Sequence, residues 1–260
     1  MSEFENKAAI VTGTSGIGKA ISKRLARGGA RVLACGIDKN NNEGLKREVE
    51  ADNLAVEVQA CDVSYSDDVK RAFGKAMTLF GGVDILVNAA AIHPYGTATE
   101  TDLETWNRCL SVNVTGIFLF VQCCVPEMKR RHGGSIVNVA SAQGYACQRG
   151  VAAYATSKGA ILSLTRALAL DYAADGIRVN SISPGSIATP MLEVAARTFS
   201  PELPVDEVFK RFGEAHPLGR VGTPEEVAEL AAFLVSPRAS FCTGGDYRVD
   251  GGLLAALAVK

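Results

Sequence analysis

Tyr154 and Lys158 stand four residues apart in Tyr154-Ala155-Thr156-Ser157-Lys158, within a stretch of helical apolar spacing. That separation places both side chains on one helix face, so a phenol and an ammonium become neighbours. Free tyrosine titrates near ~10, too high for a base at neutral pH, but a nearby cation stabilises the phenolate and lowers that value. Lys158 supplies one such charge, and an oxidised nicotinamide would supply another. The pair therefore suits a reaction in which an alcohol oxygen loses a proton or a carbonyl oxygen gains one. Ser141 lies thirteen residues earlier, just past the strand-like run Ser135-Val139. It falls at the carboxyl end of a strand, where open α/β sheets hold ligands, and its hydroxyl is suited to orient a substrate oxygen. Taken alone, a Tyr-x-x-x-Lys spacing also occurs in ordinary surface helices, and a lone serine says less.

A second set of residues could hold a phosphate-bearing cofactor. The apolar run Ala8-Val11 leads into Thr12-Gly13-Thr14-Ser15-Gly16-Ile17-Gly18 and then a helical segment. Glycines at a strand-to-helix turn let the backbone approach a pyrophosphate, whose charge is met by free N–H groups at the helix start. After the next strand comes Gly36-Ile37-Asp38, where an adenosine ribose lies in such an arrangement. A carboxylate at Asp38 could accept from both ribose hydroxyls and would repel a 2′-phosphate, which favours NAD over NADP without excluding NADP. Asp38 reads equally well as a helix-start residue.

These residues need a sheet to position them. Short β-rich runs at Ala8-Val11, Arg31-Cys35, Ala55-Ala60, Asp84-Asn88, Ser135-Val139, Arg178-Ser183 and Tyr247-Val249 alternate with helical segments, beginning with Ile17-Arg27. The intervals are long enough for crossover helices, which predicts a doubly wound parallel sheet in one domain spanning 1–260. The interval 189–223 breaks this rhythm with four prolines and two short helical patterns, Met191-Arg197 and Val205-Phe212, and reads as a lid over the substrate.

Composition narrows the function. A net charge of -1 gives no field to draw the chain to nucleic acid or an anionic membrane. Lys129-Arg130-Arg131 reads as favourable charge at a helix C-terminus. Seven cysteines without Cys-x-x-Cys spacing fit neither a disulfide framework nor a zinc site, and are expected to be reduced and mostly core. His93, His132 and His216 are far apart and no metal-ligand spacing is present, so no metal mechanism is expected. The start shows no signal-peptide pattern and no apolar run approaches ~20 residues, so the expected address is the cytoplasm.

Taken as a set, these motifs resemble the short-chain dehydrogenase/reductase family over essentially the whole chain. The resemblance implies a Rossmann-type, seven-stranded parallel sheet with helices on both faces. It identifies Asn113 (in Val112-Asn113-Val114), Ser141, Tyr154 and Lys158 with the family's catalytic tetrad, Asn113 supporting a proton relay through water and the lysine. It further implies cofactor contacts at Gly13, Ser15, Gly16, Ile17, Gly18, Asp38, Asp62, Val63, Asn88, Pro184, Gly185, Ile187 and Thr189, besides Tyr154 and Lys158. Asp62 would meet adenine, and Ile187 and Thr189 the carboxamide. A homotetramer paired through the helix of the Tyr-Lys motif is likewise implied, and the apolar stretch Ile161-Leu170 fits it.

Three departures stand out. Only Thr14 and Ser15 separate Gly13 from Gly16, where the family usually has three residues. The family's Asn-Asn-Ala-Gly becomes Asn88-Ala89-Ala90-Ala91, and Gly36 occupies the place of its usual NAD-selecting acid. The expected activity is NAD(H)-linked oxidoreduction of a small secondary alcohol or carbonyl. His93, Gln143, Gln148 and Arg149 at the pocket mouth suggest a polyhydroxylated or acidic substrate, and the chain, including its ending Val249-Asp250-Gly251-Gly252-Leu253-Leu254, resembles sugar dehydrogenases of the family. The alternatives are a 3-oxoacyl carrier-protein reductase using NADPH and a nucleotide-sensing protein without chemistry; the complete tetrad argues against the last.

Overall fold

Seven strands, β1 (Ala8–Thr12), β2 (Arg31–Gly36), β3 (Val56–Ala60), β4 (Ile85–Asn88), β5 (Gly134–Val139), β6 (Ile177–Pro184) and β7 (Asp246–Val249), pair in the order β3-β2-β1-β4-β5-β6-β7. Every pairing is parallel. The computed structural model describes residues 2–257; residues 1 and 258–260, the ends of the expected 1–260 domain, lie outside the described residues. Each predicted strand is present, with ends that differ by one residue. Asp84, assigned from sequence to the fourth strand, precedes it: its carboxylate accepts the Ala8 N–H at 2.9 Å and pairs with Arg131.

Both sheet faces are covered, which is why the central strands β1, β4 and β5 are buried along nearly their whole length rather than at alternate residues. Ile10, Leu33, Leu86, Ile136 and Val179 face one helical layer, and Ala9, Val11, Val32, Ile85, Val87, Val137 and Ile182 face the other. The first layer holds α3 (Ser66–Phe80), α5 (Gly116–Arg130) and α6 (Ala152–Tyr172); the second holds α1 (Gly16–Arg27) and α9 (Pro224–Val235). Further out, α2 (Lys39–Ala51) packs Leu45 and Val49 on β2 and β3. Strand order reverses between β1 and β4, and the crevice at the carboxyl ends there is where such sheets take ligands.

One helical run extends from Leu103 to Arg130 through α4 (Leu103–Leu110), a π-turn over Ser111–Thr115, and α5. By length and composition it could cross a membrane, a feature the sequence reading did not anticipate. Half of its most apolar window is packed inside the molecule, as a core helix is. The basic cluster at its end is paired: Lys129 with Asp175, Arg130 with Glu127, Arg131 with Asp84. All seven cysteines are free, and only Cys147 is exposed.

Between β6 and α9 the chain leaves the sheet as α7 (Pro190–Phe199) and α8 (Val205–Glu214). Thr189 caps α7 by accepting the Leu192 N–H, and Thr223 with Glu226 forms a capping box on α9. The excursion thus begins and ends at fixed points.

Candidate active site

Two adjoining cavities open at the carboxyl ends of β1, β4, β5 and β6, and Ile17, Ala89, Ala91, Thr189 and Met191 line both. The larger, about 540 Å³, holds Ser141, Tyr154 and Lys158. The smaller, about 270 Å³, holds the glycine loop, Asp38, Asp62 and Val63.

In the larger half, α6 begins just before Tyr154, so Tyr154 and Lys158 project from its first turns against the end of β5. The Lys158 Nζ lies 5.4 Å from the Tyr154 ring centre and donates to the Val139 carbonyl at 2.8 Å. Burial drives Lys158 down to about 8, close to neutrality's upper edge. Burial also pushes Tyr154 up to about 12, with the Ser141 hydroxyl pulling it back. Ser141 follows β5 and accepts the Gln143 N–H at 3.1 Å, which fixes its side chain at the cavity wall. With only these neighbours the phenol holds its proton. A positive charge placed in the adjoining groove would move it toward phenolate.

Asn113 sits in the π-turn, a widening often found at functional sites. Its amide donates to the Ile92 carbonyl at 3.0 Å and the Ser157 hydroxyl at 2.9 Å, and its oxygen accepts the Ile92 N–H at 2.9 Å. Ser157 in turn donates to the Tyr154 carbonyl at 2.7 Å. The side chain is thereby committed to clamping the segment after β4 onto α6.

That segment carries His93, whose ring stacks on Tyr154 with centroids 3.8 Å apart. Tyr95 continues the stack at 4.6 Å and meets Phe199 of α7 edge-on at 5.0 Å. Burial, then the charge of Lys158, lowers His93 to about 4, so the ring is neutral at pH 7. His93 Nε2, Tyr95 Oη and Gln143 Oε1 are buried polar atoms without a partner in the protein. Such atoms are costly unless a ligand or water satisfies them.

The smaller half is shaped by backbone. Gly13 has φ of +93°, and a Cβ at Gly18 would lie 2.3 Å from the Gly13 carbonyl oxygen, so neither position accepts a side chain. Ser15 stands at the N-terminus of α1 without capping it, which leaves that turn's N–H groups free for an anion. The shortened loop turns Thr14 inward: a Cβ at Gly36 would fall 2.2 Å from Thr14 Oγ1, so Thr14 occupies the space a side chain at 36 would need. At the altered stretch the backbone is held by Thr12, whose Oγ1 accepts the Ala89 and Ala90 N–H groups, both at 3.0 Å. Glycine loop, free helix terminus and two carboxylates together fit the adenosine and phosphate portion of a nicotinamide dinucleotide.

Several expected contacts are placed differently. Asp38 lines the smaller cavity, but its carboxylate also caps α2 by accepting the Asn41 N–H at 2.7 Å. Asp62 is paired bidentately with Arg108 of α4, at 2.7 and 3.4 Å, and accepts from Ser64. Burial would raise Asp62, but Arg108 and Ser64 outweigh it and hold the carboxyl below its usual range. Asn88 is buried behind the cavity, donating to Asn138 at 2.9 Å, and the residues that line the groove are the next four, Ala89 to Ile92. Gln143 and Gln148 line the larger cavity, whereas Arg149, one residue further along an exposed turn, lies outside it. Val63, Pro184, Gly185, Ile187 and Thr189 line the groove as expected. Sequence reasoning missed Tyr95, Phe199, Arg108 and His216; only Tyr95, two residues from His93, carried a local signal. Among the described residues no cluster of His, Cys, Asp and Glu is placed to hold a metal ion.

Comparison with known proteins places this geometry. Residues 11–254 match a family model described as enoyl-(acyl carrier protein) reductase. The 3-oxoacyl-[acyl-carrier-protein] reductase FabG of Thermotoga maritima is 37% identical, over 96% of this chain and 99% of its own. The 2-(S)-hydroxypropyl-CoM dehydrogenase 3 of Xanthobacter autotrophicus is 36% identical, over 95% of this chain and 96% of its own. Among solved structures, ligand-free aldohexose dehydrogenase of Thermoplasma acidophilum superimposes with a TM-score of 0.92 at 34% identity, covering 100% of this chain and 98% of that one. The chain is an NAD(P)-dependent oxidoreductase and belongs to the short-chain dehydrogenase/reductase family.

Proposed function

We propose that the protein interconverts a secondary alcohol and its carbonyl in a small polyhydroxylated substrate, a sugar or polyol, with NAD(H) as cofactor. The observation that carries this reading is the set of unpartnered buried polar atoms, His93 Nε2, Tyr95 Oη and Gln143 Oε1, beside the Tyr154 ring. Hydroxyl groups flanking the reacting carbon would satisfy them, and the aldohexose dehydrogenase resemblance points the same way.

When bound, the nicotinamide supplies the hydride acceptor or donor. Tyr154 Oη takes the substrate's hydroxyl proton in oxidation and returns it in reduction. Ser141 Oγ orients the substrate oxygen, Lys158 holds negative charge on the phenol, and Asn113 keeps the His93 segment against α6. The glycine loop Gly13–Gly18, Asp62–Val63 and the stretch Pro184–Thr189 hold the cofactor. NAD is favoured because Arg108 is the one cation lining the smaller cavity and it is engaged by Asp62, while Asp38 adds a second carboxylate there. Lys39 is exposed and faces Glu43.

Residues 189–223 act as a lid: Met191, Leu192, Phe199 and Phe212 line the larger cavity. Exposed Leu103, Phe118 and Leu170 on α4, α5 and α6 support a homotetramer, and light scattering that shows only monomer would overturn it. The reduced cysteines support a cytoplasmic location, which cell fractionation tests.

Purified protein offered NAD and NADP separately with aldoses, polyols, hydroxy acids and simple cyclic alcohols, and NADH and NADPH separately with 3-oxoacyl substrates, tests the function, read by absorbance of the reduced nicotinamide. NAD-linked turnover of polyhydroxylated substrates is expected. Turnover confined to NADPH and 3-oxoacyl substrates would instead establish the reductase reading, which the T. maritima relative favours.

A further inference from the structure

The lid's two feet meet beside the stretch Pro184–Thr189. The Ala188 N–H donates to the Gly222 carbonyl and the Gly222 N–H to the Ser186 carbonyl, both at 2.9 Å. The remaining N–H of this seam, that of Ser186, donates to a side chain: His216 Nε2, at 3.1 Å. The other ring nitrogen, Nδ1, lies 2.9 Å from the Phe212 carbonyl in the last turn of α8. A backbone N–H can only donate and a carbonyl can only accept, so the two bonds assign one state: neutral imidazole, bare at Nε2 and protonated at Nδ1.

The ring is packed closely against the backbone of Gly185 and Gly251. It is 3% exposed, and a Cβ on Gly185 would lie 2.8 Å from Nε2 and 3.0 Å from the Asp250 Cα. Gly251, at φ of +56°, passes the ring's other side. His216 forms part of the wall of the larger cavity and of a separate cavity of about 440 Å³ behind it.

We propose that His216 is a positioning residue, which holds Ser186 and with it Ile187 and Thr189 in the conformation that receives the nicotinamide, and ties that stretch to α8 of the lid. The inference rests on the reading of Pro184–Thr189 as the nicotinamide end of the site. The charged groups around the ring are Asp250 at the end of β7, Arg211 on α8, and Arg220, Glu226 and Arg248 across the cavity behind. The Asp250 carboxylate is already committed to the Gly252 and Leu254 N–H groups.

Two substitutions separate the ring's two bonds. His216→Gln places an acceptor near the Nε2 position and keeps the Ser186 bond; His216→Asn reaches only the Phe212 carbonyl and leaves the Ser186 N–H buried without a partner. NADH affinity is measured by fluorescence at neutral pH, and exchange of the Ser186 amide is followed in the cofactor-free protein. The His216→Asn variant is expected to bind NADH roughly tenfold more weakly and to expose the Ser186 amide to exchange. The His216→Gln variant is expected to bind NADH within about twofold of wild type, with the Ser186 amide still protected from exchange. If His216→Asn binds NADH as wild type does, or if His216→Gln binds it about tenfold more weakly than wild type, the latch is refuted; the latter arm decides even if His216→Asn fails to fold. A wild-type protein that binds no nicotinamide cofactor overturns the functional reading itself, a result distinct from failure of the latch.

Discussion

The two halves of the groove are built on different terms. Around Tyr154 the structure depends on particular side chains: a buried lysine bonded to the Val139 carbonyl, a serine fixed by the Gln143 N–H, an asparagine saturated by Ile92 and Ser157. Around the glycine loop it depends on backbone shape, and side chains there are absent or engaged elsewhere: Asp38 caps α2, Asp62 pairs with Arg108, and Thr14 fills the place beside Gly36. The difference teaches that chemistry requires fixed functional groups, whereas holding a phosphate requires room and free N–H groups, which many sequences can supply. The loop, one residue short, is accommodated by the packing of Thr14 beside Gly36, whereas Lys158 and Ser141 are each held by a specific partner.

Substitutions at the two ends should separate accordingly. Lys158→Met is expected to lower turnover about a hundredfold or more and to move the rise of the oxidation rate toward higher pH, because phenolate must then form without the ammonium. Steady-state pH–rate profiles check it, and an unshifted profile would detach Lys158 from the proton step. Gly18→Ala drives a methyl into the Gly13 carbonyl, and titration should show NADH binding weakened roughly tenfold with substrate KM little changed. An effect on turnover alone would erase the division between the halves.

Smaller effects sharpen the comparison. Arg108→Ala leaves Asp62 without its ion-pair partner, and calorimetric titration is expected to show NAD affinity changed by only about two- to threefold. The last test concerns His93, whose folded-state value of about 4 lies below the 6.5 of a free imidazole. The folded chain binds fewer protons than the unfolded one in that window, so this stability is present above pH 6.5 and lost as pH falls toward 4. In His93→Leu the fall of Tm over that window should be shallower than in wild type; an identical slope would show that the ring is not held neutral.

Much of this was legible in the sequence, and unevenly so. The strands could be read because a parallel sheet covered on both faces favours continuous apolar runs, and Ala8–Val11 of β1, Val32–Cys35 of β2 and Ile85–Val87 of β4 are such runs. Tyr154 and Lys158 could be paired because a helix converts a spacing of four into adjacency. Pairings set by tertiary packing left no trace. Arg108 meets Asp62 across 46 residues, and Phe199 meets Tyr95 only because the excursion folds back over the groove. Asp38 had two readings, ribose partner and helix cap, and its side chain performs the second while lining the cavity of the first. Arg149 failed for a geometric reason: one step along an exposed turn carries it out of the cavity that Gln148 still lines.

The measurement that tests the central claim most directly is single-turnover oxidation by Tyr154→Phe at saturating NAD, with cofactor affinity measured on the same sample. The ring still stacks on His93 but cannot accept a proton, so affinity within about twofold of wild type and a rate reduced at least a thousandfold are the expected pair. A rate near wild type with intact binding would contradict the account and remove Tyr154 from the chemistry.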